Sequence, residues 1–132
     1  MIDPQIAFAR QWLKKADHDI ITARQTLSLE NGPTDTPCFH AQQAVEKSLK
    51  ALLTANAIIF PRTHDLITLL DLSIDLLPTL ETLRETCAEL SAYGIDIRYP
   101  GDFVDPSRED AHSALSAAEQ IVALVQNEIG TS

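Results

Sequence analysis

Residues 37–57 read PCFHAQQAVEKSLKALLTANA. Within this stretch Cys38, Ala41, Val45, Leu49 and Leu52 recur at alternating steps of three and four, so a helix gathers them into one stripe. His40, Gln43, Lys47 and Lys50 recur at the same steps on the opposite side, which predicts an amphipathic helix with one core-facing edge. Gln42 falls at the border, close to Leu49 and Leu53, where an amide leaving water needs a hydrogen-bonding partner. Glu46 and Lys50 stand at i,i+4 in the order that supports a helix. Thr36 is placed to cap the start, and Pro37 suits the first helical position, where its missing N–H costs nothing.

The same grammar extends outward in both directions. Asp3 followed by Pro4 predicts a first helix, with a stripe of Ala9, Leu13, Ala16, Ile20, Ala23 and Leu27 running to about Glu30, before Asn31, Gly32 and Pro33 interrupt it. Trp12 lies beside that stripe, either closing an edge of the core or facing another subunit. The segment ENGPTDT at 30–36 is long enough to reverse the chain, which makes the first two helices antiparallel. Pro61 disfavours helix at Phe60, and Thr63 is expected to cap a short helix through Leu66, Leu69 and Leu70. Pro78 and Thr79 restart the pattern along Leu80, Leu83, Cys87 and Leu90, with Gly94 as its stop. Asp105 and Pro106 repeat the cap-then-proline start for a last helix along Ala111, Leu115, Ala118, Val122, Val125 and Ile129, ending at Gly130. The expected fold is all-α: an up-and-down antiparallel bundle of four to five helices in a single domain over residues 1–132.

A chain of 132 residues can bury a sizeable core without covalent staples. Cys38 and Cys87 lie on apolar helix sides and read as packing thiols. No apolar run approaches a membrane span and the N-terminus has no signal-peptide pattern, so a cytoplasmic location without membrane contact is expected. Residues 1–62 hold seven Lys/Arg against six Asp/Glu, whereas residues 63–132 hold three against thirteen. That acidity in the second half argues against general DNA binding. Arg10, Lys14, Lys15 and Arg24 make either a local basic patch with Lys47 and Lys50 or an ordinary solvated face.

Chemistry has few candidates. The four histidines, His18, His40, His64 and His112, have no histidine or cysteine neighbour at ligand spacing, and no glycine-rich phosphate loop is present, so neither a metal nor a cofactor is expected. His64 and Asp65 are adjacent and on a helix would point about 100° apart, which disfavours a dyad between them. Asp65 instead suits a helix N-terminus, with His64 free to bond a neighbouring segment. The stretch SAYGIDIRYPGDFVD at 91–105 has the least periodicity and the most special residues. Arg98 offers a planar fork for a phosphate and Tyr99 a ring and a hydroxyl; alternatively Arg98 pairs with Glu46 or Asp96 and Tyr99 plugs the bundle end.

Three separated motifs in order, FHAQQAVEKSLKALL at 39–53, PRTHDL at 61–66 and RYPGD at 98–102, resemble the HEPN domain family, the likeness extending from about Phe8 to Val125. Gln42, Gln43, Glu46, Lys47, His64, Asp65, Arg98 and Tyr99 carry it. The resemblance implies a helical bundle that forms a homodimer. It also implies, for many members, metal-independent ribonuclease activity, often as a toxin paired with a nucleotidyltransferase antitoxin. The active site of such members forms across a dimer from an arginine and a following histidine with four to six residues between them. This sequence departs from that pattern, because the matching positions after Arg98 hold Phe103, Val104 and Asp105. Arg108 and His112 come nearest, at i,i+4 on one helix face. Metal-free RNA cleavage needs proton transfer as well as charge on the phosphate, and Arg98 supplies charge only, while Tyr99 is a poor base at neutral pH.

The expectation is therefore a HEPN protein that is the dimeric helical partner of a small nucleotidyltransferase, with a nucleotide or RNA phosphate near Arg98, Tyr99, Lys47 and Lys50. The alternative is a metal-independent endoribonuclease toxin, with Arg98, Tyr99, Arg108, His112 and His64 as candidate catalytic groups.

Overall fold

The second helix is the central one of the bundle, buried along most of its length, with only a narrow strip through His40, Gln43 and Lys47 left partly open. The computed structural model describes residues 3–94 and 105–130. In it α1 spans Pro4–Leu27, α2 Asp35–Ala55, α3 Leu66–Ser73, α4 Arg84–Ser91 and α5 Arg108–Ile129. Short 3₁₀ segments at Pro78–Leu83 and Ala92–Gly94 flank α4. Among the described residues there is no strand, and the chain is an all-α, up-and-down bundle. α1 and α5 pack along α2 on one side, while α3, α4 and the turn at Ala92–Gly94 close the other.

Ala41, Ala44 and Ala51, all fully buried, let neighbouring backbones come close to α2, and Val45, Leu49, Leu52 and Leu53 fill the space between. The stripes expected on α1 and α5 face this core. What the amphipathic reading missed is that Glu46, Lys50 and Gln42 are buried too. A helix at the centre of a bundle turns its polar residues inward, where they must satisfy one another.

Helix ends follow the expected chemistry with shifts of a few residues. Asp3 accepts from the Gln5 N–H at 2.8 Å, and Pro4 opens α1 as expected. α1 ends at Leu27 rather than near Glu30, and the Arg108 guanidinium donates to the carbonyls of Leu27 and Leu29. α2 begins at Asp35, so Thr36 and Pro37 lie inside its first turn and Thr34 takes the cap position without a side-chain bond. Pro37 is tolerated there because first-turn N–H groups have no intrahelical acceptor.

Asp65, not Thr63, caps α3: its carboxylate accepts from the Ile67 N–H at 3.1 Å, while the Thr63 hydroxyl accepts from the Asp65 N–H at 3.0 Å. The segment restarting at Pro78 winds first as a 3₁₀ helix. α5 opens after Ser107 rather than Asp105, through a reciprocal capping box in which Ser107 and Asp110 bond each other's backbone N–H at 2.9 and 3.1 Å. Gly130, with φ 85°, ends it in a conformation that favours glycine.

Cys38 and Cys87 are fully buried, and burial pushes both thiols up to about 11, as befits packing residues. None of the described helices is long and apolar enough to cross a membrane.

Candidate functional site

Two carboxylate-centred clusters lie along α2. Asp19 of α1, almost buried, accepts from His40 Nδ1 at 2.8 Å through one oxygen and from Lys47 Nζ at 2.7 Å through the other. Both donors come from α2, so the cluster ties α1 to α2 through charge.

The second cluster is built on Glu46, whose side chain is only 4% exposed. Lys50 Nζ donates to Oε2 at 2.9 Å, Gln42 Nε2 to Oε1 at 3.3 Å, and His64 Nδ1 lies 3.0 and 3.1 Å from the two oxygens. Three donors converging on one carboxylate fix it as an acceptor, so His64 carries its proton on Nδ1. Gln42, fully buried, finds the partners its position demanded. Its amide also donates to the His64 carbonyl at 3.1 Å, and its oxygen accepts from Gln43 Nε2 at 2.7 Å. Gly94 backs this amide: a Cβ there would lie 2.9 Å from Gln42 Cδ, so glycine lets the end of the α4 segment close on α2 without displacing the amide.

Lys50 Nζ sits 5.6 Å from the centroid of the Trp12 ring, which covers it from α1 at the edge of the core. The His64 ring, in contrast, is 77% exposed. Asp65 turns away to cap α3, in keeping with the divergence expected of adjacent side chains.

The sequence-derived candidates thus separate. Glu46, Gln42, Gln43, Lys50 and His64 come together in one cluster. Lys47 and Lys50, expected at a phosphate, each spend their ammonium on a carboxylate, and Lys50 has only 10% of its side chain at the surface. Arg108 is committed to the carbonyls that end α1, while His112 is exposed. Arg24 of the suggested basic patch pairs with Glu119 of α5. Arg98 and Tyr99 lie outside the described residues, as does Asp96. No group of three or more histidine, cysteine, aspartate or glutamate side chains that could hold a metal occurs among the described residues.

Sequence reasoning missed Asp19. It stands three residues after Ala16 and four before Ala23, on the buried side of α1, and an acid at such a position signals a cation opposite.

A helical bundle whose central helix carries Gln42, Gln43, Glu46 and Lys47 and is joined by a loop histidine to a buried glutamate is the architecture of one class of small helical domains. The chain belongs to the HEPN family: the model of the HEPN domain matches residues 9–128. It is 27% identical to "Putative toxin MJ1304" of Methanocaldococcus jannaschii, the match covering 92% of this chain and 88% of that protein. Its fold is similar to the crystal structure of ST0689, an archaeal HEPN homologue, with a TM-score of 0.73 and 25% identity over 92% of this chain and 98% of the other.

Proposed function

We propose that this protein is the helical member of a two-gene, toxin–antitoxin-like system, working as a homodimer that associates with a small nucleotidyltransferase. Membership of the HEPN family and the similarity to a protein named as a toxin support this reading. The observation that carries it is the fate of Arg108. The arginine nearest to an Arg–His motif spends its guanidinium on the end of α1 rather than on His112, which favours association over chemistry at that pair. Arg98 and Tyr99 are the proposed contacts to a nucleotide or RNA phosphate.

Co-expression with a nucleotidyltransferase encoded beside it tests the reading. A complex that survives size-exclusion chromatography is the expected result, and a monomer indifferent to that protein overturns it. A second reading, a metal-independent endoribonuclease toxin, is favoured by one specific feature, the exposed His64 ring held on a buried carboxylate.

A further inference from the structure

We infer that the hollow between α4 and α5 is a docking site for a lysine-bearing segment of another protein. The hollow measures about 100 Å³, room for one long side chain and too little for a nucleotide. It exists because α5 sets Ala114 and Ala117 opposite Leu90 and Tyr93, and two methyl groups leave the space between the helices unfilled. Its floor is apolar, Leu90 and Ala114 being nearly inaccessible, and its walls carry two exposed acids, Glu89 from the α4 side and Asp110 from α5.

Neither acid is paired with a cation among the described residues. The described arginines of this half are committed elsewhere, Arg84 to Asp71 and Glu81, and Arg108 to the carbonyls of Leu27 and Leu29. Asp110 accepts from the Ser107 N–H, which leaves its charge in place. Glu89 stands in the last turn of α4, where the helix dipole disfavours an acid, and no basic residue of that turn offsets it. Two carboxylates beside one gap without a counter-ion repel each other, a cost that a bound cation removes. Tyr93 adds an aromatic ring, a surface that cations favour. Burial first, and then Cys38 and Asp110, hold its phenol above the ordinary range, so it stays neutral.

The chemistry selects the occupant. An apolar floor under an acidic rim suits a side chain with a hydrocarbon stem and a cationic end, which lysine has. Glu85, one turn before Glu89, and Glu109, next to Asp110, are exposed and continue the negative surface along both helices, so further basic residues of the same segment find partners outside the hollow. Residues 63–132, with three Lys/Arg against thirteen Asp/Glu, add long-range attraction for such a partner and repel the phosphates of a nucleic acid. His64 takes no part, so the surface works whether or not the chain cleaves RNA.

The test uses the full chain and a fluorescein-labelled peptide of alternating lysine and alanine, with the same peptide acetylated on its lysines as the uncharged probe. Fluorescence anisotropy is expected to show binding of the charged peptide, weakened by salt, and none of the acetylated one. Glu89→Gln weakens binding about tenfold, the loss of one charge-assisted hydrogen bond. Ala117→Leu, which fills the hollow and leaves the charge untouched, weakens it by at least as much. Asp17→Asn, which removes an exposed acid on α1, keeps full affinity. Circular dichroism checks that each variant folds, and the exposed Glu89 carries the test alone should Ala117→Leu unfold. Binding unchanged in Glu89→Gln and Ala117→Leu, or lost as much in Asp17→Asn, overturns the assignment by reducing it to bulk attraction. Spermidine that binds as tightly as the peptide overturns it in favour of a small polyamine. A wild-type chain that ignores the charged peptide overturns it too, and binding that appears only in Arg98→Ala does so by making the chain's own segment the occupant.

Discussion

Asp19 and Glu46 each hold one lysine and one histidine Nδ1, Glu46 with the Gln42 amide besides, yet the two clusters serve different ends. Asp19 stands on α1 and draws both its donors from α2, so its two bonds cross-link neighbouring helices. Glu46 stands on α2, takes its lysine from the next turn of the same helix, and reaches out to a histidine in the loop before α3. The His40 side chain is 30% exposed and wedged beside Phe39, whereas the His64 side chain is 77% exposed. Chemical inventory alone does not separate a clamp from a site. The depth of the carboxylate and the direction in which its imidazole leaves do.

The largest effect that tests this contrast is expected at Glu46. Its replacement by alanine strands the Lys50 ammonium inside the bundle, and loss of one partner of a buried pair costs about 3–5 kcal/mol. Urea unfolding measures it; a loss below about 1 kcal/mol would mean that Lys50 reaches water and that the second cluster is no deeper than the first.

Asp19→Ala should cost less, about 2 kcal/mol, the scale of hydrogen bonds to a charged group, because Lys47 and His40 lie nearer the surface and can turn to solvent. If it costs more than Glu46→Ala, the order of the two clusters is reversed. Gly94→Ala pushes on the Gln42 amide and is expected to destabilise by about 1 kcal/mol, with a displaced His64 ring resonance by NMR as its signature. His64→Ala should leave stability within about 0.5 kcal/mol, as for an exposed side chain without a packing role. A large loss there would make His64 a structural bond like His40 and end the distinction.

Most of the helical frame was legible in the sequence. Asp3, Pro4 and the stripe of α1 announced the first helix, and the apolar steps of α5 up to Gly130 announced the last, because side-chain period and end chemistry are local properties. The starts at Thr36, Thr63 and Asp105 were each displaced by two residues. At 63–65 and 105–107 a second polar residue stood close by, and only the path of the chain selects which oxygen meets the free N–H groups. The glutamate and glutamines of α2 stood out by their motif, and Gln42 by its demand for a partner. Asp19 did not, since an acid beside an apolar stripe has no local signature of what covers it.

The order of polar and apolar residues was sufficient for four to five helices, their sense and the apolar stripe each turns to the core, since these depend on neighbours three and four positions away. Which polar groups meet depended on the packing of α1, α3 and the Ala92–Gly94 turn around α2. Asp19 and Lys47 lie 28 positions apart and Glu46 and His64 lie 18 apart, and only the folded bundle brings such pairs within hydrogen-bonding distance. The same packing removes water from Glu46 and leaves it on His64, and no reading of residues in order contains that difference in depth.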